Sequence, residues 1–369
     1  MAANTVLFEP IKVGRLELSS RLVLAPLTRY RADDKHVHHE HAIEYYAQRA
    51  CYPGTLIITE ATYVSQKAGG QSNAPGCYTD EQVAAWKKIV DAVHAKGSYI
   101  YLQLWALGRA AEADELKKDA GEEVHSASDV PFEGGAKPRP LSKEEIQDYV
   151  AQYAHAAKRF VEEAGGDGVE VHGANGYLLD QFIQTNSNKR TDEYGGSVEN
   201  RCRFPLDVVR AVTDAVGSDR TGIRLSPWSK FQGMKMDRTE DIKETFSYLV
   251  TELRQRHPDL AYVHGIESRV AGNETVDVSY DEQLDFIHDI WTPRPFLQAG
   301  GFDPKSALEA ANKYTNTLIV FGRSFLATPD LVRRVKDGIE LNKPDRDTFY
   351  VKGPEHTEGY TDYPFAEDK

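Results

Sequence analysis

The sequence predicts an α/β chain folded as one closed (β/α)8 TIM barrel, a single domain over residues 1–369. Three observations predict it. Eight short apolar runs rich in β-branched residues recur along the chain, helix-like segments separate most of them, and polar side chains collect where the runs end. Near-continuous apolar strands alternating with helices belong to a parallel sheet covered on both faces. Eight such units close into a barrel. An open doubly wound sheet is the alternative, but that fold usually opens with a glycine-rich turn after its first strand. Here the first run is followed by "TRYRADDKH", with no Gly-x-Gly.

In order, the runs are "RLVLAPL" from Arg21, "TLIITEA" from Thr55, "YIYLQLW" from Tyr99, "GVEVHG" from Gly168, "TGIRLS" from Thr221, "LAYVHG" from Leu260, "PFLQAGG" from Pro295 and "LIVFGR" from Leu318. "DEQVAAWKKIVDAVHAKG" carries apolar residues at helical spacing and ends on glycine. "SKEEIQDYVAQYAHAAKRFVEEAGG" does the same and starts with a Ser-x-x-Glu capping box. "ENRCRFPLDVVRAVTDAVG" and "TEDIKETFSYLVTELRQRHP" follow the same pattern. Two segments are long and aperiodic. Residues 106–141 form an irregular excursion after strand three, and the stretch from Lys343 is a C-terminal arm rich in Tyr, Pro and Asp. Long segments of this kind in a compact domain are usually functional or disordered, and both are placed over the barrel mouth.

Composition narrows the function classes. Apolar residues make up 40% of the chain, ample for a large core. The formal charge of −13, with no basic stretch, argues against nucleic acid or an anionic membrane surface as partner. No apolar run approaches the roughly 18 residues of a membrane span. The N-terminus lacks the apolar centre of a secretion signal. Cys51, Cys77 and Cys202 lie far apart, fit no metal or iron–sulfur spacing, and suit a reducing, cytoplasmic compartment.

The strand ends carry the functional signal. Thr28, Glu60, Gln103, His172, Arg224, His264 and Arg323 lie at or near the C-terminal ends of their strands, where barrels build active sites. One buried polar residue is usually satisfied within the core, but seven on one rim point to a shared polar ligand. Strand seven runs into Gly300 and Gly301, and strand eight into Gly322 and Arg323. Loops after these two strands commonly hold a phosphate, with backbone N–H groups and an arginine as donors. Glycines also end strands for steric reasons, so each motif is weak by itself. A carboxamide such as Gln103 matches the edge of a pyrimidine-like ring. Arg224 needs an anionic partner: a reduced flavin, or a carboxylate such as Glu60. In "GVEVHGANGYLLDQF", His172, Asn175 and Tyr177 leave a buried strand within six residues, and Gly173 and Gly176 allow the tight turn that aims them at one point.

These residues resemble the Old Yellow Enzyme family, FMN-dependent NADPH oxidoreductases on a (β/α)8 barrel. The resemblance runs from "LFEPIKVGRLELSSRLVLAPLTRYRA" to "DRDTFY" and "GYTDYPF", and its most specific segment is "VHGANGYLLDQFIQTNSNKRTDEYGGSVENRCRFPLDV". It implies tightly bound, non-covalent FMN and NADPH, or NADH, as reductant. Pro26, Thr28, Ala61 and Gln103 resemble contacts to the flavin ring, Arg224 the cation beside its N1, and Gly300, Gly301, Gly322 and Arg323 the phosphate cradle. His172 and Asn175 would donate hydrogen bonds to a substrate carbonyl, Tyr177 would supply the proton, and Trp105, Phe231 and Tyr360 would shape the substrate pocket. With threonine at 28, where a bacterial branch has cysteine, the chain resembles the fungal and plant branch. Tyr177 implies net reduction, because phenylalanine there favours isomerisation in a fungal branch acting on ergot-alkaloid aldehydes. Gly265 stands where many members have a bulkier residue.

The expected activity is ping-pong reduction of the C=C bond of α,β-unsaturated aldehydes or ketones. A narrower alternative is a pathway-specific enal reductase of fungal secondary metabolism, and a sugar-phosphate lyase or isomerase is the reading outside this class. The chain is expected to act as a monomer or homodimer. His36, His38, His39 and His41 match zinc-ligand spacings poorly and are expected to be solvated, with no metal. The charged run "NKRTDEYGGSVENR" is expected to pin the loop after strand four.

Overall fold

The computed structural model describes residues 5–268, 270–271, 274–275 and 282–367. Eight parallel strands close into a barrel: β1 (Leu22–Leu24), β2 (Leu56–Tyr63), β3 (Tyr99–Trp105), β4 (Gly168–Gly173), β5 (Thr221–Leu225), β6 (Tyr262–Ile266), β7 (Phe296–Ala299) and β8 (Thr317–Phe321). Each coincides with one of the apolar runs. Residues of β2 are buried throughout, as expected for a strand covered on both faces. A register irregularity in β2 between Ile58 and Ala61 brings Ala61 opposite Gln103 of β3. At the start of β4, a side chain in place of Gly168 would put its Cβ 2.4 Å from the Arg220 carbonyl and the Tyr101 ring.

Helices α1 (Glu40–Arg49), α2 (Asp80–His94), α3 (Lys143–Lys158), α4 (Val198–Val216), α5 (Thr239–Arg256), α6 (Asp285–Trp291), α7 (Pro304–Lys313) and α8 (Leu331–Asp337) follow the strands. The capping box expected at Ser142 is present: its hydroxyl accepts from the Glu145 N–H, and the Glu145 carboxylate accepts from the Ser142 N–H. Thr79 and Gln82 do the same for α2. The main core lies between the strands and these helices.

An N-terminal hairpin, Ile11–Val13 with Leu16–Leu18, was not visible in the sequence pattern. Its Val13, Leu16 and Leu18 pack with Leu56, Tyr101, Tyr262 and Leu318 and plug the N-terminal end of the barrel. The other end is left for chemistry.

The excursion after β3 is more regular than expected. It holds a helix, Ala113–Ala120, ended by Gly121 at φ +71°, and a parallel pair, His125–Ser126 with Arg139–Pro140. The arm from Lys343 lies over the segment after β1. There Arg29 donates to the carbonyls of Phe349 (3.0 Å) and Gly359 (2.8 Å), and Arg31 to those of Thr348 and His356 (both 2.9 Å) and Val351. The charged loop after β4 is pinned as expected. Arg190 pairs with Asp192 at 2.6 Å and donates to the Ala127 and Leu141 carbonyls, while Arg201 donates to Ile183.

The histidine segment meets expectation only in part: His39 and His41 are exposed. His36 and His38 are buried. His36 bonds the Ala74 carbonyl through Nδ1 at 2.7 Å, and His38 lies edge-on to Trp86 with its ring centroid 4.5 Å away. Burial pushes the His38 imidazole down to about 3, so it is neutral. His36 packs edge-on to Tyr63 at 5.2 Å and His38 to Trp86, so both rings are held within the protein rather than in solvent. Among the described residues, no three or more His, Cys, Asp or Glu side chains converge as metal ligands.

Candidate active site

The site is built on the turn between β4 and the short helix Leu178–Ile183. At the end of β4, His172 Nδ1 accepts the N–H of Ala174 at 3.3 Å. The proton of the neutral ring is then on Nε2, which is left as a donor. Burial, reinforced by the positive charge of Arg224 and by His264, holds the imidazole well below its ordinary pKa, so the ring is neutral. Asn175 adopts a left-handed conformation, φ +58°. Its N–H donates to Ser226 Oγ at 2.7 Å, and its carbonyl accepts from Gln232 Nε2 at 3.0 Å. Gly176, at φ +74°, passes close to Met234, whose Cγ would be 2.7 Å from any added Cβ. The Asp180 carboxylate accepts the Gly176 N–H at 2.9 Å and the Gln184 amide at 2.8 Å, fixing the turn from beneath. Tyr177 caps the helix, with its ring edge-on to Trp105 (4.9 Å) and to His172 (5.0 Å). Burial raises the phenol well above its ordinary value, so it stays protonated.

A cavity of about 280 Å³ opens above this turn at the C-terminal end of the barrel. It gathers the sequence-selected Pro26, Thr28, Ala61, Gln103, His172, Asn175, Tyr177, Arg224 and Phe231. It also takes in Leu27, Tyr30 and Tyr350, which the sequence reading passed over. Tyr30 sits two residues beyond the selected Thr28, and Tyr350 ends the quoted "DRDTFY", so position along the chain was their only signal.

Other selected residues lie elsewhere. Tyr360 is not among the lining residues. It is the arm's own anchor, fully buried and stacked 4.3 Å from Tyr45, with the Arg29 guanidinium over its ring. The arm presents Tyr350 to the cavity instead. Trp105 stands one layer behind, stacked on Tyr63 at 5.1 Å and touching the cavity through Tyr177. Glu60 turns away from the mouth to accept the Arg29 N–H (3.0 Å) and the Tyr46 hydroxyl (3.2 Å). His264 is buried within the barrel.

The carboxylate whose charge acts on Arg224 is Glu170, not the Glu60 anticipated. Glu170 points into the barrel and accepts from Gln103 Nε2 at 2.7 Å and His264 Nδ1 at 2.8 Å. Burial works against its charge, but His264, Arg224 and Gln103 together hold it below the ordinary glutamate range. Arg224 lies in register between His172 on β4 and His264 on β6. Its Nε is buried and has no hydrogen-bond partner within the protein.

Gly300 and Gly301 follow β7, and Gly322 and Arg323 follow the neighbouring β8. Gly301 takes φ +64°, and a Cβ on Gly322 would meet nothing nearer than 3.7 Å, so this corner is open to a ligand. The first turn of the helix Arg323–Ala327 starts there.

Residues 6–342 match the model of the NADH:flavin oxidoreductase / NADH oxidase family. The chain belongs to that family. Its relatives sharpen the placement. A chanoclavine-I aldehyde reductase of Penicillium roqueforti is 51% identical over 367 residues, 98% of this chain and 97% of that one. An NADP-dependent oxidoreductase of Aspergillus flavus is 46% identical over 372 residues, 98% of this chain and 96% of that one. The crystal structure of an Old Yellow Enzyme from a Pichia species superposes with a TM-score of 0.91 at 40% identity, covering 100% of this chain and 96% of that one. The protein is thus an FMN-dependent oxidoreductase of the Old Yellow Enzyme type, with a nicotinamide nucleotide as reductant. The residues fit the cofactor. Arg224, whose buried Nε has no hydrogen-bond partner within the protein, and the Gln103 carboxamide both line the cavity, and the Gly322 corner after β8 has room for a ligand. Among the described residues, no helix is long and apolar enough to cross a membrane.

Proposed function

We propose that this flavin oxidoreductase reduces the C=C bond of α,β-unsaturated aldehydes and ketones, with NADPH as the electron source. The observation that carries the reading is the convergence of His172, Asn175 and Tyr177 on the same cavity as Arg224 and Gln103. Thr28, Pro26, Ala61, Gln103 and Arg224 would hold the flavin ring, and Gly300, Gly301, Gly322 and Arg323 its phosphate. Bound there, FMN would supply the hydride for the β-carbon of the alkene, with NADPH as its source of electrons.

The protein's own groups do the rest. His172 Nε2–H and the Asn175 amide donate to the carbonyl oxygen, on which negative charge grows as the hydride arrives. Donors fixed in a buried site are worth most at that moment. Neutral imidazole is the right form: it donates without presenting a permanent charge to the neutral substrate. Tyr177 O–H then gives its proton to the α-carbon, the C=C π bond is consumed, and the phenolate is reprotonated from solvent. A phenol shifted upward by burial is a weak acid at rest. It needs the developing enolate as acceptor, which ties proton delivery to hydride arrival.

Within this chemistry, relatives named as aldehyde reductases favour an enal of fungal secondary metabolism as the physiological substrate. A reducing, cytoplasmic setting is consistent with three unpaired cysteines. The test is product identification: with NADPH, an enal should give the saturated aldehyde, with one NADP⁺ formed per alkene consumed. Formation of the unsaturated alcohol, or of an isomer without NADPH consumption, would refute the reading.

A further inference from the structure

Two residues before His172 on β4, a carboxylate is buried that the proposed reaction leaves unused. Glu170 is fully enclosed in the barrel, in register with Gln103 on β3. A buried carboxylate destabilises a fold unless it is paired, most often with a cation in contact. Glu170 is paired differently. Its oxygens accept from a carboxamide, Gln103 Nε2 at 2.7 Å, and from an imidazole, His264 Nδ1 at 2.8 Å. Burial holds that imidazole below its ordinary pKa, so it adds no full charge. Arg224 acts on Glu170 through its charge, and among the described residues no arginine or lysine forms an ion pair with it.

This arrangement orients one group and restrains another. An ionised carboxylate can only accept, so it turns the Gln103 amide with its N–H toward Glu170 and leaves the carboxamide oxygen for the cavity that Gln103 lines. The pyrimidine edge of a flavin carries a single N–H between two carbonyls, and a fixed oxygen is its complement. Arg224 lines the same cavity, and Glu170 offsets part of its charge from within the barrel. Two-electron reduction of a flavin with uptake of one proton adds a net negative charge to the ring. A cation beside the ring favours that form, and a carboxylate nearby disfavours it. We infer that Glu170 is a positioning residue of the flavin site, fixing the Gln103 acceptor and restraining the pull of Arg224 on the reduced cofactor. This role rests on the placement of the ring against Gln103 and Arg224 proposed above, and is independent of which alkene is reduced.

The test is the reduction potential of the FMN-loaded protein, read anaerobically from the flavin spectrum in equilibrium with a reference dye. Glu170→Gln keeps the shape and removes the charge. At fixed potential it should raise the ratio of reduced to oxidised flavin by about tenfold or more, a shift of about 30 mV. Glu170→Asp keeps the charge but withdraws it from Gln103. It should stay within about twofold of the wild-type ratio and release FMN several-fold more readily on dialysis. A lower melting temperature in Glu170→Gln with an unmoved potential would mark a purely structural carboxylate and overturn the inference. If Glu170→Gln fails to fold, unchanged FMN release from Glu170→Asp overturns it instead. Arg224→Met tests the placement separately through FMN retention. Flavin lost from that variant, with an unmoved potential in Glu170→Gln, sinks the role of Glu170 alone; full retention sinks the placement with it.

Discussion

His172 and Glu60 are both buried and ionisable, and burial has opposite consequences for them. For His172 it depresses the imidazole, and the neighbouring Arg224 depresses it further. The enzyme should therefore hold its donor in the neutral form well below the ordinary histidine pKa of about 6.5. The rate of alkene reduction at low enal, followed from neutral pH downward, should show no loss near pH 6.5 assignable to this ring. A drop there that vanishes in His172→Asn would contradict the assignment. For Glu60, burial raises the carboxyl to about 7, even though the Arg29 N–H and the Tyr46 hydroxyl favour its charge. Its folded form thus binds a proton more tightly than the unfolded chain does. The stability it contributes is complete at pH values below the unfolded pKa, and it is lost as pH rises through about 7. Asp180, also raised by burial to about 7, acts in the same sense. The melting temperature should fall by a few degrees between about pH 5 and pH 8 from this source. Glu60→Gln should flatten that slope; an unchanged slope would show that Glu60 does not titrate as described.

Among the elements, the arm depends most on a few side chains. It has little regular structure of its own, and buried arginines bind its carbonyls from below. Arg31→Met would strand several of these carbonyls at once. It should cost about 2–4 kcal/mol in unfolding experiments. It should also make the segment after Lys343 the first site of limited proteolysis and raise the enal KM, because Tyr350 loses its seat. Unaltered proteolysis would mean the arm is held by other contacts.

The arm also shows what a sequence can and cannot convey. Strands and helices were legible because hydrophobic period is a local signal: β2 is apolar along its length, and α3 announces itself through Ser142 and Glu145. The arm has no period, so Tyr350 could not be told from Tyr360. One turns to the cavity, and the other is captured between Tyr45 and two guanidinium groups. Glu170 escaped notice for a related reason. It sits mid-strand in "GVEVHG", and only strand pairing, with Gln103 in register on β3 and His264 on β6, brings those two groups to its oxygens. The turn from His172 to Tyr177 was legible because its parts are adjacent in the chain.

At the scale of the whole molecule, the barrel divides its labour between its ends. The N-terminal hairpin seals one end with apolar side chains, while the other carries the polar groups that a bound flavin would satisfy. Arg224 joins the two regimes: the charge of Glu170 acts on it from within the barrel, and its buried Nε has no hydrogen-bond partner within the protein. Arg224→Met should weaken FMN retention at least tenfold, read as flavin released per protein after dialysis, because one charged donor is lost to the cofactor. Full retention would place the anion-binding role elsewhere.

The proposed alkene reduction turns on Tyr177 as its proton donor. The most direct measurement is anaerobic stopped-flow absorbance of the flavin, with its two half-reactions recorded separately for the wild type and Tyr177→Phe. Bleaching by NADPH should be nearly unchanged in the variant, while return of the flavin colour on adding an enal should slow by about 10²-fold or more. If both phases slow together, or neither does, Tyr177 is not the proton donor and the account of this site is wrong.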